Sequence, residues 1–428
     1  MKKLSFWQAT AIGLGNIVGA GIFVMAGSAI DAAGPAALLA FMITAALAVT
    51  VGLNSAELAS KMPNVEGGIY SFARVTFGDT IGFLVGWFRL ISYAISGAAV
   101  ALGFSGYLIS LGLPSVLHFS LAILLIVTLS LLEIKGIRLA ARAEEVFVIV
   151  NMTGLVIFVG SVLIFAKSST SAFVPLLPNG ITGMMSAASI AFFAYSGFNT
   201  IATLTPDVED GDRSVPRAIM FSLIVSAFLY ELVVFSMLLA LNWSNYGSIS
   251  SPLSLALSSI QAPTYVSLAV AFSALTATLT VTLSLIIAGS RTAKQMGEDG
   301  LLPRAFGKGS WIPTVVVAGI MIGSLGLGNV GSIALVANFG VIFSYMLSGL
   351  EVIRARRTLP KGKFLSPGYP FTQLFSLALS LLMLLSLGFQ SLIVGVATLA
   401  TGLVVHLIQD ELSARKSDPS GRRHAAIG

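Results

Sequence analysis

There is no cysteine in this chain, and only 10% of its 428 residues are charged. The first absence excludes a disulfide framework, a thiolate metal site and a cysteine nucleophile. Histidine is nearly as scarce. His118, His406 and His424 stand far apart, which argues against an imidazole metal cluster and leaves no metal or cofactor implied. A soluble domain carries roughly 25% charge, whereas apolar residues here reach 56%. The longest polar stretches, 354–368 and the tail from 410, are too short to hold a core of their own. No GxxxxGK[ST] pattern is present, which removes the ATP-binding loop of that kind. What remains is a polytopic, all-α membrane protein.

A spanning helix needs ~20 mainly apolar residues. Twelve windows qualify: 5–29, 36–60, 80–110, 116–134, 144–166, 183–204, 217–241, 263–290, 312–330, 331–353, 370–388 and 390–409. The ninth and tenth are separated only near Gly328-Asn329-Val330-Gly331. Met1-Lys2-Lys3 before an apolar run is reminiscent of a signal peptide. That run is too long for one and continues into a glycine motif, so it is read as the first span.

With the N-terminus in the cytoplasm, the even-to-odd loops and both tails hold every Lys and Arg except Lys167, outside, and Arg89, within span three. That asymmetry predicts a multi-pass protein of the cytoplasmic membrane with both termini inside. The net charge of +6 is then topological, with anionic lipid rather than nucleic acid as its partner.

Two windows are interrupted by glycine. The first carries Gly13, Gly15, Gly19 and Gly21; the sixth carries Phe192-Phe193-Ala194-Tyr195-Ser196-Gly197-Phe198-Asn199. Backbone inside a bilayer must satisfy its own polar groups, so an interruption survives only where it lines a cavity. A pair of such segments, one in each half, points to a transporter's midplane site, and five intervening spans reverse the second copy in the membrane. The plainer account is close helix packing of the small-xxx-small kind, which Gly15-x-x-x-Gly19 would allow. Recurrence of glycine in the corresponding helix of the other half favours the break.

The expected chemistry follows from exposed helix ends. N–H groups near Gly19, Ala20 and Gly21 would begin a new half-helix, whose partial positive charge suits a carboxylate. Free carbonyls near Asn16, Ile17 and Val18 suit an ammonium. In span six, Ala194, Ser196 and Gly197 offer carbonyls again, and Phe193 is placed to cover the ligand. A zwitterionic α-amino acid fits both ends at once.

The loops add a second pattern. After span two comes Pro63-Asn64-Val65-Glu66-Gly67-Gly68-Ile69-Tyr70, then Phe77-Gly78, Gly82-Phe83 and Gly86-Trp87. After span six comes Glu209-Asp210-Gly211-Asp212-Arg213-Ser214-Val215-Pro216-Arg217-Ala218. After span eight come Gly289-Ser290-Arg291 and Glu298-Asp299-Gly300-Leu301-Leu302-Pro303. In this order, on these spans, over about residues 5–355, the chain resembles the amino acid–polyamine–organocation (APC) superfamily, on its basic amino acid/polyamine-antiporter-like branch.

The resemblance implies a LeuT-type fold of twelve transmembrane helices, with helices one and six unwound at mid-membrane. Residues 1–166 (spans one to five) and 183–355 (spans six to ten) would form the inverted 5+5 repeats. Residues 369–409 would add two peripheral helices and 410–428 a cytoplasmic tail. It also implies that the positions named above bind the α-carboxylate, the α-amino group and an aromatic gate. Many relatives have glutamate where this chain has Asn199. Some proton-coupled relatives place a lysine where this chain has Asn151, and an amide cannot titrate. Thr280 matches a hydroxyl that coordinates sodium in distant relatives. Asn151 and Thr280 are thus candidates for a polar coupling site or for helix-packing hydrogen bonds, with Glu231 an alternative proton carrier.

The ionisable residues read as lying inside spans are Glu57, Arg89 and Glu231. No catalytic motif joins them, so an enzyme is not expected, and a channel filter or charge ring is missing. Arg89 lies ~14 Å into span three at 1.5 Å per residue, where an arginine costs at least ~2.5 kcal/mol and needs a partner. Either Glu231 or backbone carbonyls satisfy it, or it meets a substrate carboxylate and disfavours cationic amino acids. The reading is a secondary active amino acid transporter working by alternating access, through proton-coupled symport or exchange, with sodium coupling the alternative. A carrier of polyamines or amino-acid derivatives and a transport-derived nutrient sensor are the other readings.

Overall fold

The computed structural model describes residues 3–417 except 63, 64, 66, 67, 137–140, 167–172, 199, 200, 203, 204, 248, 308 and 310. Asn199 and Lys167 therefore lie outside the described residues, as do Pro63, Asn64, Glu66 and Gly67 of the first loop motif and His424 of the tail. The helices are α1 (Phe6–Ile17), α2 (Ala20–Ala33), α3 (Ala37–Lys61), α4 (Ile69–Phe77), α5 (Asp79–Ser110), α6 (His118–Ile134), α7 (Ala141–Phe165) and α8 (Gly180–Tyr195). There follow α9 (Gly211–Ala240), α10 (Pro252–Ser259), α11 (Thr264–Glu298), α12 (Arg304–Gly307), α13 (Trp311–Ser324), α14 (Val330–Thr358), α15 (Phe371–Leu385) and α16 (Phe389–Ser417).

Every apolar window is occupied by helix. Among the described residues, nine stretches are long and apolar enough to cross a bilayer, with α2 and α3 running on as one of 42 residues. The segment containing α13, and α15, are shorter apolar helices. Local chemistry sets the ends. Ser5 opens α1 through a capping box: its Oγ accepts from Gln8 N at 3.3 Å, while its own N–H donates to Gln8 Oε1 at 3.0 Å. Gly328, at φ +129°, turns the chain between α13 and α14, and Asn329 Oδ1 then caps Ser332 N at 2.9 Å. Just upstream of α1, Leu4 forms an isolated parallel bridge with Val208. Leu4 N donates to Asp207 O and Glu209 N to Leu4 O, both at 2.8 Å.

The central helix is α5, buried along most of its length and packed against α11, α14, α13 and α6. The packing has a repeat within it: α3 packs on α8 as α9 packs on α1, and α5 on α14 as α11 on α7. Exchanging the helices of the first half for those of the second maps each pairing onto its counterpart.

One motif read as a loop proves to be helical in part. Residues 69–77 form α4, whose Tyr70 Oη donates to Asp299 Oδ2 at 2.7 Å. Arg74 pairs with Asp79 and with Asp299, each at 2.7 Å. Those partners, Asp79 first, raise the pKa of Arg74 and keep it charged. Asp299 thus joins the motif after span two to the motif after span eight. The helix α10 also lies between windows seven and eight, where the hydropathy pattern marks no span.

Candidate functional site

The first apolar window breaks between Ile17 and Ala20. Val18 leaves the helix at φ −78°, ψ 61°, and Gly19 follows at φ −108°, ψ −149°. No side chain caps the first turn of α2, so its N–H groups keep their donor capacity. The second break begins where α8 ends at Tyr195 and a 3-10 turn, Ser196–Phe198, takes over. Ser196 Oγ folds back to donate to Phe193 O at 2.9 Å. Phe193 and Ala194 are buried, while Asn16, Ser196 and Gly197 remain partly exposed.

The two breaks touch. A methyl added at Gly197 would run into Asn16 O and come within 2.9 Å of Ile17 N. One added at Gly21 would run into the backbone of Ala194. Tyr230, on α9, joins them: its buried hydroxyl shares one proton between Ile17 O at 2.7 Å and Ala194 O at 3.1 Å. Sequence reading missed Tyr230, since a tyrosine on an apolar helix carries no motif. Tyr345, on α14, was also missed; its hydroxyl donates to Ser196 O at 3.2 Å.

Asn16, Ile17, Gly21, Ala194, Ser196 and Gly197 therefore meet at one place, with Ala20 and Phe193 as chain neighbours. Gly19 faces elsewhere, towards Val281 of α11. Because Gly21 packs on Ala194, a bulky residue there is expected to lower stability together with activity, rather than leave a folded but inactive protein.

Asn151 and Thr280 make their contacts between and within α7 and α11. Asn151 Oδ1 accepts from Thr276 Oγ1 at 2.9 Å, tying α7 to α11. The Thr280 hydroxyl donates to Thr276 O at 2.9 Å in its own helix. Threonine inside a helix commonly bonds back to the preceding turn. Glu231 is half-buried, and its Oε1 has no hydrogen-bond partner.

Arg89 is 6% exposed. Its Nη2 donates to Tyr93 Oη at 2.7 Å, and its Cζ lies 4.5 Å from the Tyr93 ring centre and 5.3 Å from that of Tyr345. No ion pair joins Arg89 to Glu231, which removes that internal partner. Nη1 is buried without a hydrogen-bond partner.

The inventory of ionisable residues within helices also needs correction. Glu351, on α14, is fully buried with both carboxylate oxygens unpartnered, and Glu133, on α6, accepts from Ser290 and Thr314. Both stand near the ends of their windows, where a carboxylate reads as part of the loop. Glu57 is a structural acid. It accepts from Arg356 Nε and Nη2 at 2.7 Å each, and from Ser366 N and Oγ at 2.9 and 2.6 Å.

Comparison with known proteins gives a consistent picture. The amino acid permease family model matches residues 4–405. The branched-chain amino acid permease BcaP of Bacillus subtilis (strain 168) is 27% identical over 438 residues, covering 95% of this chain and 92% of the relative. The methylthioribose transporter of the same organism is 26% identical over 437 residues, with 95% and 93% covered. Cationic amino acid transporter 4 of Homo sapiens is 30% identical over 327 residues, 71% of this chain and 51% of the relative.

Proposed function

The chain belongs to the amino acid permease family, within the APC superfamily, and from that premise we propose that it is a secondary active transporter working by alternating access. Its substrate is an amino acid, held at the two helix breaks and carried across the cytoplasmic membrane. One observation carries the reading: the breaks of the first and sixth apolar windows meet, and Tyr230 bonds the carbonyls of both. The uncapped start of α2 takes the α-carboxylate, and the carbonyls near the end of α1 and the end of α8 are the acceptors for the α-ammonium.

The exchange of helix pairings between the halves supports two inverted copies of five spans, with α15 and α16 added and twelve crossings in all. With both termini inside, as the distribution of basic residues suggests, the burial of the two half-helices supports an inward-facing arrangement. Four of the twelve residues of α1 are buried, against twelve of fourteen in α2, so the path is shut on the α2 side.

Tyr230→Phe should take the hydroxyl donor from Ala194 O and leave Ile17 O with Gly19 N alone. We expect a loss of about 1–3 kcal/mol in stability and a lower maximal uptake rate, read by thermal melting and by flux in proteoliposomes. Unaltered uptake by a protein that melts normally would remove Tyr230 from the site.

Drive comes from a proton gradient or from exchange. Proteoliposomes given a panel of labelled amino acids at two pH values, with and without sodium, test both function and coupling. The expected outcome is saturable uptake that responds to the pH gradient or to counter-substrate inside. Uptake that demands sodium and ignores pH overturns the coupling, and no uptake or binding of any amino acid overturns the function.

A further inference from the structure

We propose that Arg89, with Tyr93 and Tyr345, forms a second anion subsite beside the α8 break that receives the side-chain carboxylate of a dicarboxylic amino acid. The inference rests on the reading of the breaks as the seat of the α-amino and α-carboxyl groups, and it names the substrate class.

The starting point is an uncompensated charge. Arg89 is 6% exposed, and among the described residues no carboxylate pairs with it. Its neighbours are two phenols, which supply lone pairs and ring faces but no negative charge. Nη1 is buried and unused. A guanidinium is a planar fork suited to a carboxylate, and burying one without an anion is costly.

The position connects the charge to the substrate. Tyr345, against which Arg89 lies, donates to Ser196 O at the end of α8. The next residue, Gly197, abuts Asn16 O at the end of α1. Tyr93, which accepts from Nη2, is itself partly exposed. On that reading of the breaks, a substrate side chain directed past Ser196 and Tyr345 meets Arg89. A basic side chain there meets like charge, a neutral one leaves Nη1 unused, and a carboxylate completes the fork.

The test uses the full chain in proteoliposomes with labelled glutamate, aspartate, leucine and lysine. Glutamate or aspartate should enter and should compete at least about tenfold better than lysine, the scale of one charge-assisted hydrogen bond. Arg89→Gln should lower the ratio of acidic to neutral uptake by about tenfold or more, and Arg89→Lys should retain part of it.

A wild type that takes up leucine or lysine, while the acidic amino acids neither enter nor compete, overturns the proposal. So does Arg89→Gln reducing all substrates equally, or chloride protecting the protein against heat where glutamate does not. Failure to take up any amino acid defeats the transport reading itself, a separable result. If Arg89→Gln does not fold, competition in the wild type decides alone.

Discussion

Gly197→Ala is expected to abolish uptake. A single methyl at this position runs into the carbonyl of Asn16, and the obstacle is backbone, which has no rotamer to yield. The two broken helices must separate, carrying Ile17 O and Ala194 O away from the hydroxyl that bonds both. A misplacement of ~1 Å at a working site costs on the order of 100-fold, and we expect a loss of at least that size in initial uptake rate. Gly319→Ala is the control. Nothing lies within 4 Å of a methyl added there, and alanine favours a helix by roughly 1 kcal/mol over glycine. Wild-type uptake by a well-folded Gly197→Ala protein would mean that the breaks need not touch.

The largest loss of stability should come from Glu57→Ala. The carboxylate is fully buried and accepts from Arg356 and from Ser366, so one acid ties the end of α3 to α14 and to the chain entering α15. Gln373 Nε2, which donates to Ser366 Oγ at 2.6 Å and Asn54 Oδ1 at 3.2 Å, extends the same network. Removing one member of a buried ion pair costs ~3–5 kcal/mol because the other is left uncompensated. Melting of the detergent-solubilised protein should fall sharply for Glu57→Ala and partly recover in Glu57→Leu/Arg356→Met. A single mutant that melts like the wild type would show that water replaces the carboxylate without cost.

The sequence made the helices legible because membrane spans announce themselves by length and apolarity. The interruption in the first window was legible for a related reason: Gly19 and Gly21 are poor helix residues in a stretch that otherwise favours helix. The turn at Gly328 and the cap at Asn329 were readable in the same way.

Partners across space were not readable. Tyr230 and Tyr345 lie on helices without motifs, and what singles them out is which carbonyl each hydroxyl reaches. The pairing of Asn151 with Thr276 rather than Thr280 is a matter of one helical turn, and a single sequence does not register two helices to that precision. Glu351 escaped because it stands at the end of its window. Its burial is a fact of packing between α14 and its neighbours, set by residues far away in the chain. Arg89 shows the opposite case: its burial was expected from its depth, and only the absence of Glu231 beside it had to be learned from the fold.

The bridge between Leu4 and Val208 has a mechanical consequence. Two backbone hydrogen bonds stitch the residue before the α1 cap to the stretch that follows the second break. Leu4 is separated from α1 only by Ser5, whose side chain is itself locked to Gln8, so there is almost no slack between the stitch and the half-helix. In the alternating-access cycle proposed above, a tilt of α1 would drag 207–209 along or tear both bonds, at about 1 kcal/mol each. Leu4 would thereby act as a leash, making one moving body of two segments that the sequence assigns to opposite halves.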